Sequence, residues 1–538
     1  MSKLFKLDNK NYRYEFKIWL SATCAFLILA TFAFGSQAFN IMLSGDGWSE
    51  FVSPYPTQYE WTIRIGRYLS PLIWKIFGDN EFANSWLYLY FFLSVWIFFF
   101  LIISRTEYIS PSSVFVSSSI FLFTPSLVEM SAFQLDIPVR STGFILLGIA
   151  LYFYWIKDSS ISEKSYAEIL NPKRTSISVI CLTACAACYQ PIALMFVPGC
   201  LLISLFNGRL CLTNIKKGTI ICIVSFMSYF LLWRFLLLFY DFGFGSNEGY
   251  DILVTENITM LSKFVEIFNN FIDFIILPKN SMPAFVSVFL TLLSAQLVYI
   301  FAPPKKFLQK SVFTFVFVFL LIGFIPTLIF IYKGTYSALR PQALMSMYFT
   351  PALLIGVGVG KANTFGFKIG RYFWVIAFFL IGIQSFQTSS VITQKQVAYE
   401  KDIITGQAIL SDLMDVAPNR AFITVNIFIE ESKITYSPER TYYSVPRNRW
   451  QGISNSHVFD SQPGRIHQLL KIVAPAQVKL TTHNVKDGDS VLLKTPLKKL
   501  PSWPNQNSIK VLPDDSLLLK IGAPAQRPVP RQDKETES

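Results

Sequence analysis

Residues 176–206 read SISVICLTACAACYQPIALMFVPGCLLISLF, a run of 31 residues without a charge. As one helix it would be about 46 Å long, against a bilayer hydrocarbon core of about 30 Å, so it is too long for one ordinary crossing. Both flanks are basic, with Lys173 and Arg174 before the run and Arg209, Lys216 and Lys217 after it. Basic flanks stay on the cytoplasmic side, so two of them require an even number of crossings. The midpoint is Cys188-Tyr189-Gln190-Pro191, where proline has no amide hydrogen to continue a helical ladder. The run therefore reads as a hairpin of two short or re-entrant limbs, with Tyr189 and Gln190 at the outward tip. Irregular backbone at that depth needs protein or a watery cavity around it.

The same logic extends in both directions. Lys3, Lys6, Lys10, Arg13 and Lys17 precede or open a first span at 16–35 and place the amino terminus in the cytoplasm. Further spans are expected at 84–104, 111–124, 141–156, 218–240, 283–302, 311–331, 343–360 and 372–389. With the hairpin the total is about eleven crossings, amino terminus in and carboxyl terminus out. An acidic external segment follows residue 240, and within it Ile258, Leu261, Phe264, Phe268, Ile272 and Ile275 recur at the spacing of an amphipathic surface helix.

Composition agrees with a mainly α, polytopic membrane protein. Of 538 residues 52% are hydrophobic and 16% aromatic, with mean hydropathy +0.42, and the apolar residues cluster into long runs. The net charge of +13 does not imply nucleic acid, because the Lys and Arg flank apolar runs, where they set topology and meet membrane lipids. Seven cysteines, all but Cys211 inside apolar runs, pack as small hydrophobes and supply no disulfide framework. Cys181, Cys185 and Cys188 share a helix face, but a metal site needs ligands from facing elements and a closed polar shell, so no metal is assigned.

Three regions are expected: a transmembrane domain at 1–391, a soluble external domain at 392–522 and a disordered tail at 523–538. Residues 396–416 follow a helical period, and 421–429 read as a buried strand. Short apolar runs at 467–473, 490–494 and 516–521 add a helix and strands of a small α/β module. No internal repeat is present, which argues against an inverted-repeat transporter.

The chemistry concentrates on the first external loop, which carries Gly45-Asp46-Gly47-Trp48-Ser49-Glu50 and then Trp61, Arg64, Arg67, Tyr68 and Trp74. A carboxylate accepts a proton, an arginine holds a phosphate bidentately, and aromatic rings offer faces to sugars or headgroups. Asp46 lies between glycines that let backbone approach a substrate, although Asp-Gly is also an ordinary turn signal. Arg64 and Arg67, three apart, fit one side of a helical turn and suit either a substrate phosphate or bulk anionic lipid. Arg340 and Arg234 are further outer cations, and Arg234 has Asp136 or Asp241 as a candidate neutralising partner. Glu129 and Asp136, on the second external loop, are candidates to assist the base, hold a sugar hydroxyl or bind a divalent ion. Tyr189 and Gln190 at the hairpin tip need hydrogen-bonding partners, which a sugar supplies.

Trp61-x-x-Arg64-x-Gly66-Arg67-x-Leu69, then Phe133-x-x-Asp136, then Tyr189-Gln190 in the fifth apolar run, and Glu400-Lys-Asp402 after the last span, form an order of features. That order resembles the Gtr-type O-antigen glucosyltransferases of serotype conversion, over about residues 15–430. The resemblance implies a GT-C-like enzyme of the bacterial inner membrane, with its C-terminal domain in the periplasm. It implies glucose taken from undecaprenyl-phosphate glucose and attached on the periplasmic face to a sugar of the O-antigen repeat. Asp46 would be the base and Arg67 a contact to the donor phosphate. The family pattern has two adjacent acids where this chain has Gly45-Asp46-Gly47, which leaves Glu50 as a rival base and puts a two-carboxylate metal site in doubt, so a divalent metal is compatible with the sequence but not required by it. The expected site is therefore Asp46 and Glu50 for proton transfer, Arg64, Arg67 and Arg340 for the donor phosphate, and Trp48, Trp61, Asp136, Tyr189 and Gln190 for substrate. No cofactor is required, since a departing phosphate can be held by cations alone. The alternative function is a flippase or transporter of a lipid-linked saccharide.

Overall fold

The computed structural model describes residues 9–39, 55–77, 85–106, 108–132, 136–155, 172–207, 212–239, 345–365, 367–418, 420–429, 466–475, 477–485 and 506–521. Helices, numbered among these residues, are α1 (Asn9–Phe39), α2 (Tyr55–Arg64), α3 (Ser70–Phe77), α4 (Ser85–Ile103), α5 (Pro111–Leu122), α6 (Pro125–Ala132), α7 (Ile137–Tyr154), α8 (Pro172–Cys188), α9 (Gln190–Leu194), α10 (Phe196–Phe206), α11 (Leu212–Phe239), α12 (Met345–Phe365) and α13 (Phe367–Val416). They fall into two compact units, residues 9–39 and 55–393 in the first and 394–521 in the second.

In the first unit five helical stretches are long and apolar enough to cross a membrane: Glu15–Gly35, Ser85–Ile103, Ile137–Tyr154, Lys216–Phe239 and Phe373–Ser390. Three shorter apolar helices, Pro111–Leu122, Gln190–Ser204 and Tyr348–Gly360, accompany them. The expected spans at 283–302 and 311–331 and the amphipathic surface helix lie outside the described residues; the five stretches correspond to the spans expected at 16–35, 84–104, 141–156, 218–240 and 372–389. The span expected at 111–124 differs from expectation. Its helix α5 has 12 residues, about 18 Å, and gives way to α6 after Phe123 and Thr124. A Ser110–Ser113 capping box opens α5, satisfying two of the amide groups that every helix start leaves orphaned.

The run at 176–206 does turn back on itself, and α7 is the ruler that shows it. Ser178 donates to Ala150 O at 2.8 Å and Cys185 Sγ to Gly143 O at 3.3 Å, so α8 climbs antiparallel to α7. Ile192 then lies against Gly143, Gly199 against Leu151, and Ser204 within 3.4 Å of Tyr154 Oη, so α9 and α10 descend the same helix. The break is one residue wide: Tyr189 is extended, with φ −158° and ψ 107°. Pro191 sits in the first turn of α9, where a missing amide hydrogen costs nothing. It opens the returning helix, which is a different job from breaking a continuous one.

The interior of the unit is aromatic. Phe98, Phe99, Phe121, Phe144 and Phe349 bring α4, α5, α7 and α12 together, with ring centroids 5.1–6.4 Å apart. In a bilayer such packing and close backbone approach hold helices together, because lipid tails are as apolar as the side chains. Gly356 of α12 shows the approach: a Cβ there would lie 1.8 Å from Ser117 Oγ and 2.6 Å from Ser113 O.

The second unit holds a four-stranded sheet in the order β2-β1-β4-β3, with β1 (Phe422–Ile429), β2 (Lys479–Val485), β3 (Ile509–Val511) and β4 (Leu517–Ile521). β1 pairs parallel with β2 and β4, and β3 pairs antiparallel with β4. The parallel β1–β2 pair needs a crossover, and α14 (Ile466–Val473) lies in that connection. The strand expected at 490–494 and the tail at 523–538 lie outside the described residues. The helices expected at 372–389 and 396–416 are one element, α13, so Glu400 and Asp402 sit within a continuing helix.

Candidate functional site

The turn between α2 and α3 is built by a glycine. Gly66 N–H donates to Ile63 O at 3.0 Å and Arg67 N–H to Thr62 O at 2.7 Å, the paired bonds of a Schellman helix stop. Gly66 has φ +85°, the left-handed conformation that side chains with a Cβ disfavour. Two carbonyls at and just after the end of α2 are also reached from afar: Trp233 Nε1 donates to Ile63 O at 2.7 Å and Gln190 Nε2 to Ile65 O at 3.0 Å. Leu69 N–H reaches Ala187 O at 3.3 Å. The first loop is thus docked on the hairpin tip and on the far end of α11.

That docking places Arg67 in an ionic cluster. Asp136 Oδ2 receives Arg140 Nη2 at 2.7 Å and lies 3.5 Å from Arg67 Nη1. Arg140 also donates to Met130 O and is 3% exposed, whereas the Arg67 side chain is 19% exposed. Both guanidinium carbons face the Tyr189 ring, at 4.6 Å for Arg67 and 5.0 Å for Arg140. Two guanidiniums thus share one carboxylate and one ring at a partly open point, and a planar guanidinium suits an anion with a planar oxygen array.

Beside the cluster runs an aromatic ladder. Tyr68 stacks on Tyr229 at 5.9 Å, and Tyr229 on Trp233 at 6.3 Å. Gln190 Nε2 donates to Tyr229 Oη at 2.9 Å. Since both amide hydrogens of Gln190 are used, its oxygen remains as an acceptor. The Tyr68 hydroxyl is buried with no hydrogen-bond partner among the described residues. Burial, and then Tyr229 and Cys188, raise the Tyr68 phenol above its ordinary value, so it keeps its proton and offers a donor.

Of the residues expected from sequence, the structure brings Arg67, Asp136, Tyr189 and Gln190 together. Arg64 is exposed at the end of α2, and it is Arg67 that pairs with Asp136. Asp46, Trp48, Glu50 and Arg340 lie outside the described residues; Trp61 lies in α2 with its side chain likewise undescribed. Of the two partners considered for Arg234, Asp241 lies outside the described residues and Asp136 is taken by other arginines. Asp136 goes to Arg67 and Arg140, and Arg234 lies over the Phe230 and Trp233 rings at 5.1 and 5.5 Å. Arg140, Tyr229 and Trp233 were not singled out from sequence. The i,i+4 spacings Asp136–Arg140 and Tyr229–Trp233 are the signals that point to them.

A family profile described as Glucosyl transferase GtrII matches residues 35–355, more than half of the chain. No curated protein and no solved structure matches.

Proposed function

Because the chain belongs to the Glucosyl transferase GtrII family, we propose that it takes glucose from undecaprenyl-phosphate glucose and transfers it to a sugar of an O-antigen repeat. The family makes it a glucosyltransferase, and so favours transfer over the transporter alternative. The observation that carries the choice of donor is the Arg67–Asp136–Arg140 cluster on Tyr189. It lies at the end of the bundle where the first loop meets the hairpin tip, and we assign that end to the periplasmic face. The opposite end carries Arg105, Arg174, Lys216 and Lys217, as a cytoplasmic end should.

A donor of this kind keeps its phosphate at the membrane interface while its sugar faces water. As the bond from glucose C1 to the phosphate oxygen breaks, the electron pair leaves with the phosphate, whose charge grows by one. Arg67, joined by Arg140, is placed to hold that growing charge, which is the largest single aid a fixed site can give. Asp136 keeps the two guanidiniums from swinging apart. The acceptor hydroxyl loses its proton to a first-loop carboxylate, Asp46 or Glu50, as its oxygen bonds to C1. The Gln190 carboxamide oxygen and the Tyr68 hydroxyl are available to sugar hydroxyls. The reaction so written uses no cofactor.

The test uses membranes containing the full chain, an O-antigen acceptor and labelled undecaprenyl-phosphate glucose or UDP-glucose. The lipid donor should be used and UDP-glucose should not. Asp136→Asn should raise the KM for the lipid donor roughly tenfold, the equivalent of about 1.4 kcal/mol of lost positioning. Transfer from UDP-glucose without the lipid carrier would refute the donor assignment.

A further inference from the structure

The bundle end away from the Arg67 cluster holds a second concentration of charge, in an arrangement of the wrong sign for its helices. α8 and α11 lie side by side, linked by bonds from Thr183 Oγ1 to Ser225 O at 3.2 Å and from Ser225 Oγ to Val179 O at 3.3 Å, and run in the same direction, since Gly218 lies by Tyr154 and Tyr229 by Gln190. Both begin at this end, and neither has an acidic residue in its first turn. Their early residues are instead Lys173, Arg174, Lys216 and Lys217, although a helix start favours anions.

Arg105 donates to Tyr152 O at 2.9 Å and its guanidinium carbon lies 3.4 Å from the centre of that ring. Arg174 lies in the first turn of α8 at the same end. Lys217 is 4% exposed, and its Nζ lies 5.9 Å from the centre of the Tyr154 ring. Among the described residues no carboxylate pairs with it. A buried ammonium is costly unless an anion meets it, and a tyrosine face at that distance compensates only weakly.

We propose that this end of the bundle binds a phosphate-bearing anion between α7, α8 and α11, with Lys217 as the buried anchor and Arg105 and Arg174 beside it. Two helix starts contribute their partial positive charge to the same anion. The site is distinct from the donor site, because α7 starts just after its N-cap Asp136 and spans 18 residues, about 27 Å, before ending here. A phospholipid headgroup and free phosphate share this chemistry.

The experiment places full-length protein in nanodiscs of neutral phosphatidylcholine, with or without phosphatidylglycerol. Thermal unfolding midpoints and retained phospholipid, by native mass spectrometry, are read for wild type, Lys217→Met and Lys173→Gln. Phosphatidylglycerol should raise the wild-type midpoint and remain bound. Lys173→Gln, a change at an exposed residue of the same end, should keep that gain. Lys217→Met should lose it, yet in neutral discs should equal or exceed wild type, because an apolar side chain replaces an uncompensated charge. If inorganic phosphate reproduces the gain in neutral discs, the anion comes from solution; if only phosphatidylglycerol does, it is the lipid. An equal gain in Lys217→Met would assign the effect to bulk surface charge and overturn the proposal. So would a loss of stability in both disc types, which would make Lys217 a packing residue. Should the methionine variant yield no folded protein, Lys217→Arg must retain the gain, and its loss would overturn the proposal too.

Discussion

Replacing Gly66 by alanine tests whether the first loop is locked to the hairpin as described. A residue with a Cβ at φ +85° costs about 1–2 kcal/mol. The new Cβ would also lie 2.1 Å from Tyr229 Oη, 3.2 Å from Tyr229 Cζ and 3.1 Å from Gln190 Nε2. Tyr229 cannot turn aside freely, being stacked between Tyr68 and Trp233. Its displacement breaks the hydrogen bond from Gln190, about 1 kcal/mol, and disturbs ring stacking worth about 0.5–1.5 kcal/mol. Gly66→Ala should therefore destabilise the folded chain by about 2.5–4.5 kcal/mol and raise the donor KM, because Arg67 is the next residue. The assay is reversible unfolding in detergent alongside donor kinetics in membranes. Tyr229→Phe, which removes the clashing hydroxyl, should alone cost about 1 kcal/mol. The double variant should be more stable than the sum of the two, by about 1 kcal/mol or more. A Gly66→Ala protein within about 0.5 kcal/mol of wild type, or strict additivity with Tyr229→Phe, would refute the docking geometry.

Arg67→Lys keeps the charge but loses the planar group that faces Tyr189, so the donor KM should rise roughly tenfold, while Arg64→Lys should change it much less. Equal losses in the two lysine variants would mean that general surface charge, and not the Asp136 cluster, recruits the donor. Asp46→Asn should slow transfer by about 10²–10⁴-fold with donor binding retained, and Glu50→Gln is the paired measurement. A normal rate for Asp46→Asn beside a large loss for Glu50→Gln moves the base to Glu50; normal rates for both remove carboxylate catalysis from this loop.

Some of this was legible along the chain because it depends on local order. Apolar runs of bilayer length mark α1, α4, α7 and α11, since each helix satisfies its own backbone and needs only a continuous apolar surface. Charge counting on the two sides of 176–206 found the fold-back, because an even number of passes is the only way to return both basic flanks to one side. Tyr189 and Gln190 could be placed at its tip for the same reason. The family resemblance, drawn from the order of motifs, matches the profile found over 35–355.

What the sequence alone determined is therefore which segments are helical, which are apolar enough to cross and where the chain reverses. Partnership across the fold came only with the tertiary structure. Arg64 and Arg67 are chemically alike and three residues apart, yet only the Gly66 turn decides that Arg67 meets Asp136. Pairing Asp136 with Arg234 was as reasonable from sequence as pairing it with Arg140. An ion pair is settled by distances of a few ångströms between side chains, and Arg67 and Asp136 are far apart in sequence. Those distances follow from how α2, α7, α9 and α11 pack together, and no single segment contains that information.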